Sequence, residues 1–321
     1  MRQTARLSRR ELLRAALLAS IGTGCARLGA AGARAAGAAD AAALITKPIP
    51  SSGERLPVIG LGTDSFRASE ADAIRAEIVR MQQLGGTVID TAASYGDAES
   101  LIGNALAASG LRARLFLASK LTADGQGGFL SDGVGGEASF QRSLERLKTD
   151  RIDLMQVHNL RGVDELMPML QRWKQQGRIR YLGITTSRVS QHEEMAAAMR
   201  AHPLDFIQVD YSIANRDAER TIFPLAQERR VAVLANLPLV HGQLIGSSHA
   251  RPLPAWAGEL GIASWSQYLL KYAASHPAVT CAIPGSTQVA HLEDNQRAGR
   301  GVLPDAATRK RMEDYWQRIT S

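Results

Sequence analysis

Apolar residues in this chain fall into short unbroken runs, separated by longer stretches where they recur every three or four positions. The runs are "PVIGLGT" (57–63), "TVID" (87–90), "LFLAS" (115–119), "IDLMQVH" (152–158), "YLGIT" (181–185), "FIQVD" (206–210), "VAVLAN" (231–236) and "AVTCAIP" (278–284). Runs of this length without alternation suit strands buried on both faces, as in parallel sheets. Between them lie helical stretches. In "SEADAIRAEIVRMQQLG", Ile74, Ile78 and Met81 stand at i, i+4 and i+7 and share one face. "GGEASFQRSLERLKTD", "RDAERTIFPLAQERR" and "SWSQYLLKYAASH" are patterned alike.

Eight runs alternating with helices over about 260 residues predict an α/β fold, a (β/α)8 barrel. Upstream, "LITKPIPSSGERLPVIGLGT" reads as two short strands about a Ser-Ser-Gly turn, an N-terminal β-hairpin before the first barrel strand. The alternative is a doubly wound open sheet, which would carry a G-x-G-x-x-G turn after its first strand. "GLGTDS" (60–65) has no third glycine, and no helix is predicted there. The Gly-rich stretch "TADGQGGFLSDGVGGE" (122–137) is a long loop after the third strand. Loops of that length inside a domain are usually functional.

The net charge of +7 invites a nucleic-acid reading until its placement is examined. Residues 1–38 contain seven arginines and one acid, Glu11, which is +6 of the +7. The rest is near neutral, which argues against nucleic acid as a partner. "SRRELLRAALLASIG" sets Arg9-Arg10 before a weakly apolar segment, and "GAAGARAAGAADAAA" follows with small residues at A-x-A spacing. This resembles a bacterial twin-arginine export signal, cleaved near Ala35 or Ala38. It implies a periplasmic protein, the export machinery as a partner, and residues 39–321 as one barrel domain. The alternatives are a basic N-terminal arm and a lipoprotein signal ending at Cys25, although Gly22 stands where such signals usually have leucine. Without Cys25 only Cys281 remains, so the mature chain has no internal disulfide. No run of eighteen apolar residues is present to span a membrane as a helix.

The C-terminal ends of barrel strands share one face, where active sites are built. Asp90 ends the second run, Lys120 directly follows the third, His158 ends the fourth, and Tyr95 lies on the loop after the second. The four should meet at one side of the barrel mouth. A tyrosine is a poor acid at neutral pH, and a nearby ammonium lowers its pKa. Lys120 would supply that charge, with Asp90 holding Lys120 by an ion pair. Tyr95 would then protonate a carbonyl oxygen as general acid, and His158 would orient that oxygen by a hydrogen bond. The histidines have no metal-ligand spacing.

From Leu56 to about Asn295 the chain resembles an aldo-keto reductase. "GTVIDTAASYGDAE", "LFLASK" and "SLERLKTDRIDLMQVH" are similar to the family segments bearing the catalytic Asp, Tyr, Lys and His, and "GRIRYLGIT", "FIQVDYSIANRD" and "IPGSTQVAHLEDN" to later blocks. The resemblance implies reduction of a carbonyl, or oxidation of an alcohol, on a small-molecule substrate. The cofactor implied is NADP(H), lying extended across the mouth. Its contacts would come from Gly62, Thr63, Asp90, Thr185, Thr186, Gln208, Asn236, Pro238, Leu239, Gly285, Ser286, Thr287, His291 and Asn295.

Several of these depart from the family pattern. Thr185-Thr186 stands where Ser-Asn usually holds the nicotinamide carboxamide, and Asn236 where an aromatic often stacks. Near "IPGS" the family has a lysine or arginine for the 2′-phosphate, whereas Gly285, Ser286, Thr287 and His291 offer only a histidine. This implies a weakened preference for NADP(H) over NAD(H), or help from Arg297 or from backbone amides at the following helix. The second functional reading is a non-catalytic periplasmic ligand-binding protein on the same scaffold.

Overall fold

The computed structural model describes residues 42–125, 135–248 and 251–320. The export signal and the 38–39 domain boundary lie outside the described residues, as does most of the 122–137 loop. A hairpin opens the fold: β1 (Thr46–Pro48) pairs antiparallel with β2 (Arg55–Pro57). Eight strands then run parallel in sequence order: β3 (Leu61–Gly62), β4 (Val88–Asp90), β5 (Phe116–Leu121), β6 (Ile152–Val157), β7 (Ile179–Thr185), β8 (Phe206–Asp210), β9 (Ala232–Asn236) and β10 (Val279–Ala282).

The sheet closes on itself. Ile59 bridges Ala282 and Gly62 bridges Gly285, both parallel, and Gly60 N donates to Ala282 O at 2.8 Å while Gly62 N donates to Pro284 O at 2.9 Å. This is the predicted barrel, a single unit over Leu44–Ser321. The first predicted strand is shorter than "PVIGLGT" suggested, because Pro57 belongs to the hairpin and Val58–Gly60 serve the seam. At Gly62 a Cβ would stand 2.9 Å from the Ile283 carbonyl oxygen, so the close approach at the seam requires glycine.

The helices between strands are α1 (Ala71–Gln83), α2 (Ala98–Ser109), α3 (Gly136–Leu147), α4 (Val163–Gln175), α5 (His192–Ala201), α6 (Ile222–Glu228), α7 (Gln243–Ser248) and α8 (Trp265–Ser275). After β10 come α9 (Val289–Arg297) and α10 (Ala306–Thr320). "RDAERTIFPLAQERR" gives less helix than its pattern suggested: a 3-10 turn at Asp217–Glu219, then α6 with Pro224 in its first turn, where the missing N–H costs little.

Strand alternation sorts the core into two layers. Val88, Phe116, Ala118, Leu154, Tyr181, Phe206, Ala232, Leu234, Cys281 and Ile283 pack together with Ile49 and Leu56 of the hairpin. These are the inward positions, and the hairpin plugs the barrel's N-terminal end. Lys47 fastens it there, its Nζ donating to the carbonyls of Ala274, His276 and Val279 at 2.7–2.8 Å. The opposite strand parity, including Ile89, Leu117, Met155, Ile184 and Val233, packs against the helices. Continued toward the C-terminal ends, the inward parity reaches Asp90, Lys120, Gln156, Thr185, Gln208 and Asn236. The period-2 rule that fills the core therefore also aims the site.

Candidate active site

Asp90, the last residue of β4, is nearly buried and receives three donors. Lys120 Nζ lies 2.5 Å from Oδ2, and the Gln208 and Gln156 amides donate to Oδ1 at 2.7 and 3.5 Å. Lys120 lies inside β5 rather than just after it, paired in register with Gln156 of β6. An ammonium is tolerated there because all its partners are supplied: Asp90, the Thr91 carbonyl at 2.8 Å, and Tyr95 OH at 3.4 Å. Its Nζ also stands 4.8 Å from the Tyr95 ring centre. Burial works against the Lys120 charge, but Asp90 and Tyr95 outweigh it and hold the amine protonated.

His158 is the first residue after β6, in a short 3-10 turn, rather than the strand's last. Its ring meets the edge of Tyr95 at 5.7 Å between centres and 78° between planes, and its Nδ1 lies 3.3 Å from Ser94 Oγ. Burial, then the nearby Lys120 charge, hold its pKa down to about 3. The imidazole is therefore neutral across the physiological range. The tautomer with its proton on Nε2 would let Nδ1 accept from the Ser94 hydroxyl and leave Nε2–H to donate to a carbonyl oxygen.

Tyr95 corrects one expectation. The ammonium does lower its pKa, but burial acts more strongly, and the net shift is upward. Tyr95 is thus a protonated phenol at neutral pH, a proton donor rather than a phenolate. Burial likewise pushes Asp90 upward, opposed by Lys120 and the two glutamines.

These groups open onto a cavity of about 1480 Å3. That exceeds the roughly 300–1,000 Å3 of sites for one small ligand. Its lining includes Gly62, Thr63, Asp90, Tyr95, His158, Thr185, Gln208, Asn236, Pro238, Leu239, Gly285, Ser286, Thr287, His291 and Asn295. Lys120 lies beneath this wall and Thr186 behind it; Thr186 Oγ1 donates to Gln191 Oε1 at 2.7 Å and its carbonyl accepts from Asn236 Nδ2 at 2.9 Å. Arg297 is not among the lining residues. Thr185 Oγ1 accepts from the Asn159 amide at 3.1 Å, and Asn295 Oδ1 accepts from Ser266 Oγ. Asn236 Oδ1 is buried and has no hydrogen-bond partner.

Sequence reasoning missed Gln156, Ser94, Asp64, Glu70, Arg188, Gln191 and His241. Gln156 had a signal, since it stands two residues before His158 on the same face of β6. The others sit on loops or in short 3-10 turns, where no periodicity points inward. Strain gathers on two loops of the mouth. Of the seven non-glycine residues with positive φ among the described residues, five lie at the mouth: Asn159 and Leu160 after β6, and Leu237, Val240 and His241 after β9. Such backbone persists only where the surroundings hold it, and it clusters at working sites. Among the described residues no group of three or more His, Cys, Asp or Glu could hold a metal ion.

A closed parallel barrel with a buried lysine bridging a carboxylate and a tyrosine at its C-terminal mouth defines a class, and comparison with known proteins gives that class its family. The model of the aldo/keto reductase family matches residues 58–311. Methylglyoxal reductase YeaE of Escherichia coli (strain K12) is 31% identical over 263 residues, 78% of this chain and 88% of that protein. Among solved structures, the holo form of aldo-keto reductase AKR11C1 from Bacillus halodurans aligns with a TM-score of 0.70 at 25% identity, covering 87% of this chain and 97% of that one. An aldo/keto reductase from Klebsiella pneumoniae, in complex with NADP and acetate, aligns with a TM-score of 0.66 at 26% identity, covering 82% and 93%. The chain belongs to the aldo/keto reductase family and is an oxidoreductase.

Proposed function

We propose that the protein reduces aldehyde or ketone carbonyls with NADP(H), with Tyr95 as the general acid. The observation that carries this is the Lys120 ammonium, 2.5 Å from Asp90 and 3.4 Å from the Tyr95 hydroxyl.

The lining fits a nicotinamide group at its inner end. Asn236 Oδ1 is a buried acceptor in want of a donor, on the same wall as Thr185 and Gln208, and a carboxamide would satisfy it. Bound there, the cofactor supplies a hydride to the carbonyl carbon. The protein's own residues manage the oxygen. His158 donates from Nε2 and orients it. Tyr95 transfers its proton to it, and Lys120 stabilises the phenolate that results. Asp90 keeps Lys120 charged and in place. In the oxidation direction Tyr95 takes the proton back. The complete set of four favours catalysis over passive ligand binding.

The test follows consumption of NADPH with small aldehydes, beginning with methylglyoxal, the compound in the name of the E. coli relative. Turnover by the parent and none by Tyr95→Phe supports the reading. Equal rates in both would sink it.

Export to the periplasm is the reading favoured for residues 1–38, on the order of twin arginine, apolar segment and small-residue region. Cell fractionation of Arg9→Lys/Arg10→Lys should find the protein retained in the cytoplasm; undiminished periplasmic protein would overturn the assignment. A twin-arginine route carries folded proteins, so a cofactor bound before export would travel with the chain.

A further inference from the structure

Glu77 has no ordinary reason to be where it is. It lies on the buried face of α1 beside Ile74, Ile78 and Met81, wholly out of solvent, and neither carboxylate oxygen has a hydrogen-bond partner. The nearest help is the Ser286 hydroxyl, but that hydroxyl donates to the Gln288 carbonyl at 3.1 Å and offers Glu77 only a weak interaction. The amide of Gln296, on the neighbouring α9, is also buried and unpartnered and does not donate to it.

Ser286 belongs to the loop between β10 and α9, which lines the cavity with Thr287, His291 and Asn295. This is the end of the groove where the cofactor's adenosine would rest. Glu70 also lines the cavity and lies near enough to raise the Glu77 carboxyl further. Two carboxylates therefore bear on a loop that, in a protein selecting a 2′-phosphate, would want cations.

The surrounding charges are otherwise committed. Asp72 pairs with Arg75, and Arg80 with Glu293 at 2.5 Å. Glu99 of α2 is taken up by Ser119 and Arg146. Asp294 accepts from Ser264 and Gln267, each at 2.6 Å. α9 also carries His291 and Arg297, and neither donates a hydrogen bond to Glu77.

We propose that Glu77 is a proton-dependent selectivity residue for the dinucleotide. Ionised, it repels a 2′-phosphate across the Ser286 loop and leaves an unphosphorylated adenosine ribose favoured; protonated, it lets the phosphate in. The inference rests on the dinucleotide reading above. Burial, with Glu70 adding to it, pushes the Glu77 carboxyl up to about 7, so the change falls in a physiological range. The sign is informative. A 2′-phosphate gains charge as pH rises through about 6, and an ordinary cationic pocket would then bind it more tightly. Here NADP(H) binding weakens relative to NAD(H).

The experiment titrates the full-length protein with NADP+ and NAD+ by calorimetry at about pH 6 and about pH 8.5, values on either side of the carboxyl. The parent's ratio of NADP+ to NAD+ dissociation constants should rise about tenfold across that interval, the equivalent of one pKa unit of coupling. In Glu77→Gln the rise should vanish while NAD+ affinity is kept, which also reports an intact site. In His291→Asn, which removes the imidazole that lines the same end of the cavity, the rise should persist. A rise retained in Glu77→Gln, or absent from the parent, overturns the proposal. If Glu77→Gln does not fold, loss of the rise in His291→Asn overturns it and persistence supports it. Folded parent that binds neither dinucleotide would instead defeat the cofactor reading itself.

Discussion

Removing the Lys120 amine while leaving Asp90 tests whether the two act as one unit. Both side chains are inaccessible to solvent and lie 2.5 Å apart. In Lys120→Met, Asp90 keeps only the Gln208 and Gln156 amides, at 2.7 and 3.5 Å, and the Thr91 carbonyl loses its donor. Stripping one partner from a buried pair costs about 3–5 kcal/mol, because the remaining charge stays buried. At roughly 2–4 °C per kcal/mol for a domain of this size, melting should fall by about 10 °C. The loss should depend on pH in a defined direction. Without Lys120 nothing cationic holds down the carboxyl that burial raises, so its folded pKa stands well above its unfolded one. The variant therefore keeps stability at acid pH, where Asp90 is protonated in both states, and loses it as pH rises through the unfolded value near 3.9 toward the folded one. Asp90→Asn/Lys120→Met, with no charge left to bury, should recover at least about 2 kcal/mol of the loss. Urea unfolding of parent, both single variants and the double variant completes the cycle. If the single costs summed to the double within about 0.5 kcal/mol, the ion pair would be energetically idle.

Three further outcomes follow from the same geometry. His158→Gln should lower kcat/KM for carbonyl reduction by about 100- to 1,000-fold, the usual loss of one donor to a developing oxyanion; a change under threefold in steady-state assays would remove His158 from that role. Because the His158 pKa is held to about 3, the parent's pH–rate profile should show no limb near pH 6.5 from this imidazole, and a limb there that vanished in His158→Gln would show it titrating normally. Gly103→Ala should destabilise the fold by about 1–3 kcal/mol, since a Cβ there would stand 2.0 Å from the Arg146 carbonyl oxygen and force α2 from α3; thermal melting at parent level would show that the helices yield freely.

The barrel was legible because its signal is redundant. Eight apolar runs supplied eight strands, with ends either unmoved, as at Phe206–Asp210, or shifted by up to four residues, as at Leu61. Asp90 and His158 could be placed from the end of an apolar run, and Tyr95 from its distance beyond one. Lys120 was misplaced by a residue or two because a charge ordinarily ends an apolar run; only the partner strand, with Gln156 in register, shows that the strand continues through it. Contacts such as Gln208 on Asp90 span 118 positions and depend on how the sheet closes, which no local pattern encodes. The direction of the Tyr95 shift was beyond sequence for the same reason: it weighs burial against one ammonium, and burial is a property of the folded whole. Nothing in the sequence singled out Glu77; only the packing of α1 shows that it is buried.

The seam of the barrel carries a consequence for how the molecule is made. Strands β3 and β10 meet through the pairs Ile59–Ala282 and Gly62–Gly285, so the cylinder cannot shut until the stretch ending at Gly285 has been synthesised. For most of translation the nascent sheet has two unsatisfied borders, each able to capture a strand from another chain. Codon-level slowing or a holding chaperone would matter most in that interval, and a chain truncated before Val279 should accumulate as aggregate rather than as a smaller folded protein.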